Sequence, residues 1–209
     1  MLGPPPRAWM RLPSGRHLDL INPDPDAWTD HDLAVRLSRT YRWGGESSWP
    51  LPLSVAQHSL LVLAIRQQLA GRPLTPAEQL LELLHDADEA FLGFDCISPL
   101  KAVLGEPFRA VGARLSAAVA RRYDLPAWSA QAHAEHKQAD VMAAASEAAH
   151  CVGWRPDEVR QVLGIGAPIL ETDPIHSLAG LAPWEPWPAE VAATIFEERL
   201  LAIQAWRAE

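Results

Sequence analysis

Thr75-Pro76-Ala77-Glu78-Gln79-Leu80-Leu81-Glu82-Leu83-Leu84-His85-Asp86-Ala87-Asp88-Glu89-Ala90-Phe91-Leu92-Gly93 is the stretch whose reading decides the fold. It opens on a helix start signal: an N-cap threonine, proline at the first helical position and glutamate at the third. Leucines at 80, 81, 83 and 84, followed by Ala90, Phe91 and Leu92, make it apolar enough for a core helix, expected to stop near Gly93. His85, Asp86 and, one turn on, Glu89 interrupt that apolar run. An unpaired buried charge costs several kcal/mol or shifts its pKa, so these groups need a partner. A divalent cation suits imidazole beside carboxylate. A His-Asp pair alone is more often a solvated helix turn; the leucine-rich setting and matching residues elsewhere reverse that weight.

Working outward, Ser54 and Gln57 form a capping-box signature for a helix running to about Ala70 and closing at Gly71, with His58 in its first turn. Before it, the irregular run from Tyr41 to Pro50 presents Arg42 and Trp43 near a loop. Thr29 and Asp32 mark the start of another short helix. Residues 1–28 are rich in proline, and alternation around Pro13-Ser14-Gly15 predicts a small hairpin. After Gly93 a loop from Phe94 to Lys101 is expected. Helical periodicity follows over Pro107 to Tyr123, over Pro126 to His150 with Asp140 in an alanine-rich segment, and over Arg155 to Leu163. Residues 165–188 read as a wrapping loop, and a last amphipathic helix spans about Ala189 to Trp206. There is no internal repeat or linker. The expected architecture is all-α: one helical domain over residues 29–209, preceded by the 1–28 extension.

The 209 residues suit a single core, and the balance is acidic, with a formal charge of −8. Without a basic tract, duplex nucleic acid and membrane surfaces are poor partners, whereas a single nucleotide remains compatible. Cys96 and Cys151 fit neither a zinc spacing nor a disulfide framework, which suits a reducing cytoplasm. Apolar runs are too short for a membrane span and the N-terminus lacks a signal-peptide core, so a cytoplasmic protein is expected. Trp184, Trp187 and Trp206 read as packing anchors of the C-terminal segment, and His133 and His136 as a solvated helix face.

A metal site on a helical scaffold draws ligands from several helices. His85 and Asp86 point about 100° apart around a helix axis and can both grip an ion in an interhelical crevice. His58 on the preceding helix and Asp140 on a later one are the natural remaining ligands. Glu89 shares their face without having to ligate. The ordered set His58 … His85-Asp86 … Asp140 resembles the HD-domain metal-dependent phosphohydrolases, and more closely the bacterial 5′-deoxynucleotidase branch and its phage-type nucleotide-hydrolysing relatives. Tyr41-Arg42-Trp43, Ser54 to Ser59, Leu84 to Gly93, Ile97 to Lys101 and Gln138-Ala139-Asp140 carry the resemblance, over roughly residues 40–150.

The resemblance implies one divalent cation (Mn, Co, Fe, Mg or Zn) held by His58, His85, Asp86 and Asp140. Asp86 and Glu89 would be catalytic, with Glu89 moving the proton of the attacking water. Arg42 would clamp phosphate, Trp43 would pack on the sugar, and Asp95 and Lys101 would serve as the acidic and basic residues of the following loop. Two departures fall on the substrate side: Phe94 separates Gly93 from Asp95, and Glu46 stands where the phage-type relatives often have histidine. The implied reaction removes phosphate from (deoxy)nucleoside monophosphates; a deoxynucleoside triphosphate hydrolase is the near alternative. A non-catalytic metal- or nucleotide-binding sensor is the alternative of another class. An alarmone hydrolase continues with aspartate where this chain has Ala90, and a di-iron oxygenase needs further histidines earlier than His133 and His136. A homodimer is compatible with the acidic surface and apolar last helix.

Overall fold

The computed structural model describes residues 8–208, with Ser98 and Pro99 described in their backbone only. Residues 1–7 of the expected N-terminal extension, and Glu209, lie outside it. The architecture is all-α with a small antiparallel hairpin, β1 (Trp9–Arg11) and β2 (His17–Asp19), in register Trp9 to Asp19, Met10 to Leu18 and Arg11 to His17. The hairpin is no appendage, since Leu12 and Leu18 are buried in the main core. Among the described residues no helix is long and apolar enough to cross a membrane.

Helix α1 (Asp30–Ser38) starts at the expected capping box of Thr29 and Asp32. Helix α2 (Val55–Leu69) starts where the Ser54 hydroxyl accepts from the Gln57 amide. The Gln57 side chain does not close the box: it donates to Glu185 and accepts from the Trp187 amide, pinning the C-terminal wrap onto α2 beside His58. Helix α2 is buried around nearly its whole circumference, which makes it the central element. It packs on α3 (Pro76–Leu83), whose box of Thr75 and Glu78 forms as expected.

The helix expected to carry His85, Asp86 and Glu89 on to Gly93 is instead broken. α3 ends at Leu83, residues 84–88 are turns, and α4 (Glu89–Leu92) resumes before the left-handed Gly93. The physical reason lies in His85. Its Nδ1–H donates to the Glu82 carbonyl at 2.8 Å, taking the acceptor that a continuous helix would offer to the Asp86 amide.

The expected loop to Lys101 is helical from Ser98, so α5 (Ser98–Arg122) begins earlier than periodicity suggested. It is interrupted at Gly105, whose φ of 69° and ψ of −154° only glycine adopts readily. α6 (Ala130–Glu147) starts later than expected and runs into a π-type turn, Ala148–Val152. α7 (Pro156–Gln161) and the short α8 (His176–Ala179) punctuate the wrap, and α9 (Ala189–Ala208) closes the domain against α1 and α3. Trp184 and Trp187 are buried as expected, but Trp206 is 47% exposed and is not a buried anchor. It sits at the end of a helix whose core-facing residues are Ala192, Ala193, Phe196, Leu200 and Ile203.

Candidate metal centre

α2, the 84–88 turn and α6 bring four expected residues together. His58 Nε2 lies 3.2 Å from His85 Nε2, 3.6 Å from Asp86 Oδ2 and 3.4 Å from Asp140 Oδ1. His85 Nε2 is 3.1 Å from Asp86 Oδ2. The donor atoms of His58, His85 and Asp86 all fall within 4.8 Å of one another, and Asp140 joins them through His58. His58 is fully buried, while the Asp86 and Asp140 side chains keep about a quarter and a fifth of their surface, so carboxylates form the mouth.

Which nitrogens carry protons follows from the outer contacts. His85 Nδ1 faces a carbonyl, which can only accept. His58 Nδ1 faces Glu147 Oε1 at 2.6 Å, a carboxylate held down to about 2 although burial opposes it, by the charges of Arg42 and His58. Both Nδ1 atoms therefore donate, and both Nε2 lone pairs point at each other and at two carboxylates. Four acceptor atoms converge, with Lys137 donating only to the outer oxygen of Asp140, and these ligand types suit a borderline divalent ion. In the metal-free protein a proton takes that place. Burial and Arg42 would lower the pKa of His58, but Glu147 and Asp140 outweigh them and raise it to about 9. Asp86 and Asp140 are each held well below the usual carboxylate range against the opposing effect of burial, Asp86 by His85, His58 and Arg42, Asp140 chiefly by His58.

Around this cluster the expected substrate residues are gathered. Arg42 Nε donates to Glu147 Oε2 at 2.9 Å, while its NH1 stays 3.8 Å from Asp86 and 3.6 Å from Asp95, beyond hydrogen-bond length. Phe94 turns outward and Asp95 inward, so the inserted residue is absorbed by the loop. Trp43 has a left-handed backbone, φ 57°, which costs a large side chain strain, and its indole N–H donates to the same Glu147 oxygen at 3.2 Å. Glu46 is exposed.

Glu89 is buried, with Oε1 accepting from Lys101 Nζ at 3.3 Å and Oε2 left without a hydrogen-bond partner among the described residues. Burial, reinforced by Asp86 and Asp95, pushes its carboxyl up to about 9.

Glu147 and the burial of His136 escaped the sequence reading. Glu147 lies seven residues beyond Asp140, two turns along the same face of α6, and that spacing was the available signal. His136 is buried, not solvated: Nδ1 pairs with Glu82 Oε2 at 2.7 Å, and its ring lies 4.8 Å from both His85 and Trp128. Trp128 comes from the irregular segment before α6, which periodicity does not address.

No family model matches the chain. It is 38% identical over 165 residues to an uncharacterized protein of Rhodobacter capsulatus, covering 78% of this chain and 83% of that protein. The two belong to one family.

Proposed function

We infer that this protein is an HD-domain metal-dependent phosphohydrolase that removes phosphate from nucleoside monophosphates. The observation that carries the reading is the pair of imidazoles whose Nδ1 atoms are both committed to acceptors, leaving Nε2 lone pairs facing each other beside Asp86 and Asp140. His58, His85, Asp86 and Asp140 would hold the ion. A divalent cation held there would supply Lewis acidity toward a phosphoryl oxygen and a bound water.

The chain's own residues divide the remaining work. Glu89 is buried beside Asp86, and its carboxyl is held high partly by the charge of Asp86. Neutralising that charge brings it toward neutrality, where an acid–base group is best poised to move a proton. Arg42 spends Nε on Glu147 and keeps the outer part of its fork for a phosphoryl group. Lys101, half-exposed, donates to Glu89 and places a positive charge on that side of the site. Trp43 offers its ring near the sugar while its N–H is tied down.

The test is a product assay. Metal-free protein receives Mn²⁺, Co²⁺, Mg²⁺ or Fe²⁺ with matched ribo- and deoxyribonucleoside mono- and triphosphates, and the products are resolved by chromatography. Nucleoside plus inorganic phosphate from monophosphates is expected. Tripolyphosphate release, or stepwise loss from triphosphates, would move the protein to the triphosphate branch. Metal and nucleotide binding with no turnover would leave a sensor in its place.

A further inference from the structure

The chain has 18 Lys and Arg residues, of which only Lys101 and Lys137 are lysines, and both pair with carboxylates of the candidate centre. Lys101 was legible from the sequence; Lys137 was not. It rides on α6 one turn before Asp140, with Nζ 2.8 Å from Asp140 Oδ2 and its side chain 52% exposed. Asp140 thus divides its oxygens, Oδ1 toward His58 Nε2 and Oδ2 toward the ammonium.

We propose that Lys137 is an anion-binding residue of the site, passing its ammonium from Asp140 to a phosphoryl oxygen of the substrate. This assignment rests on the phosphohydrolase reading. Three physical arguments carry it. First, the pair is a poor helix brace. An acid N-terminal to a base is the favourable order on a helix and Lys137 precedes Asp140, so the contact adds little to α6 and its release would cost the helix little. Second, the ammonium end of the pair is half-exposed, so it is free to leave Asp140 for another anion entering from solvent. A divalent cation held by Asp140 would share its charge and weaken the hold on Lys137 further. Third, a lysine stem is flexible and its ammonium a compact point charge with three donors, suited to follow a phosphoryl group. Arg42, by contrast, is mostly buried and pinned through Nε.

Isothermal titration tests this on the full chain with phenylphosphonate, a non-hydrolysable phosphomonoester analogue, and separately with Mn²⁺. In Mn²⁺-loaded protein, Lys137→Gln should weaken phenylphosphonate binding by about ten- to a hundredfold, the loss of a charge-assisted hydrogen bond. Lys137→Arg should recover most of it. Mn²⁺ affinity of metal-free Lys137→Gln should be unchanged or slightly tighter, because a neighbouring positive charge is gone. Undiminished phenylphosphonate binding would overturn the assignment. So would a parallel loss of Mn²⁺ affinity, which would make Lys137 a prop for Asp140, or a wild-type protein that binds no phenylphosphonate. Tight phenylphosphonate binding, lost in Lys137→Gln, by a protein that hydrolyses no phosphomonoester would remove the hydrolase reading and leave Lys137 as the anion contact.

Discussion

His58 and His85 meet Nε2 to Nε2 at 3.2 Å, each having already given its Nδ1 proton to an acceptor. Two neutral imidazoles would repel in that geometry, so the metal-free centre keeps a proton there. His58 rises from an ordinary 6.5 to about 9, its pairing with Glu147 and Asp140 overcoming burial and Arg42.

The sign of the pH dependence follows. A raised histidine pKa contributes stability that is fully present below about 6.5 and is lost as pH rises through about 9. Glu89, raised by burial from 4.5 to about 9, acts in the same direction. Thermal unfolding of metal-free protein should therefore show a Tm that declines between pH 6.5 and 9. Mn²⁺ has to displace the His58 proton, so its affinity should rise by about tenfold per pH unit up to that value. A pH-independent Mn²⁺ affinity would contradict the assigned tautomers. Asp86→Ala should abolish stoichiometric Mn²⁺ uptake in equilibrium dialysis, since Asp86 Oδ2 lies within 3.6 Å of both Nε2 atoms.

Glu89→Gln separates chemistry from metal binding. Removal of the ionisable group should lower kcat by about 10²- to 10⁴-fold with Mn²⁺ affinity little changed. The same substitution should stabilise metal-free protein at pH 7 by about 1–2 kcal/mol, because Glu89 is held neutral there at a cost in proton binding. Unchanged turnover would remove Glu89 from the acid–base role. A destabilised variant would mean that the accepting oxygen at Lys101 matters more than the charge.

The caps of α1 and α3 and the first turn of α2 were legible because a cap is a local exchange between a side chain and amides two or three residues away. The clustering of His58, His85, Asp86 and Asp140 was legible because ionisable groups are costly inside an apolar run. What escaped depends on partners distant in sequence. His85 breaks its own helix through the Glu82 carbonyl, a contact that helical periodicity does not encode. His136 reads as polar until Trp128 and Glu82 close over it. Pro99 marked the loop before α5, yet a proline in the first turn is also a helix start, and the break falls at Gly105 instead.

Glu147 holds three residues through one carboxylate: His58 of α2, and Arg42 and Trp43 of the preceding loop. Glu147→Gln keeps the shape but loses two acceptor positions and the charge opposite Arg42. Outer-shell partners of ligating histidines are worth about 10–100-fold in metal affinity, and the same fall is expected here. Leaving Arg42 buried without its main counter-charge should also destabilise the fold by about 3–5 kcal/mol in urea denaturation. Loss of stability with full metal affinity would show that Glu147 serves the loop alone.

Asp32 does for the hairpin what Glu147 does for the site, and the comparison isolates stability from function. It is fully buried, with Oδ1 accepting from the Ser14 amide at 2.6 Å and Oδ2 from the Thr29 amide and hydroxyl, both at 2.9 Å. Burial would raise its pKa, but the Thr29 and Ser14 amides outweigh that and lower it below 3.8. Its contribution is therefore present above about pH 4 and is lost as pH falls through the lowered value. Asp32→Ala leaves the Ser14 and Thr29 amides without their carboxylate acceptor and loosens the tie between hairpin and α1, so a loss of about 1–3 kcal/mol is expected. Thr75→Ala breaks an equivalent but exposed box and should cost only about 1 kcal/mol. Both variants lie away from the His58, His85, Asp86 and Asp140 cluster and should leave Mn²⁺ binding as in the wild type. A fall in Mn²⁺ affinity in Asp32→Ala would instead tie the hairpin to the geometry of the site, through α1 and the α4 segment on which it packs.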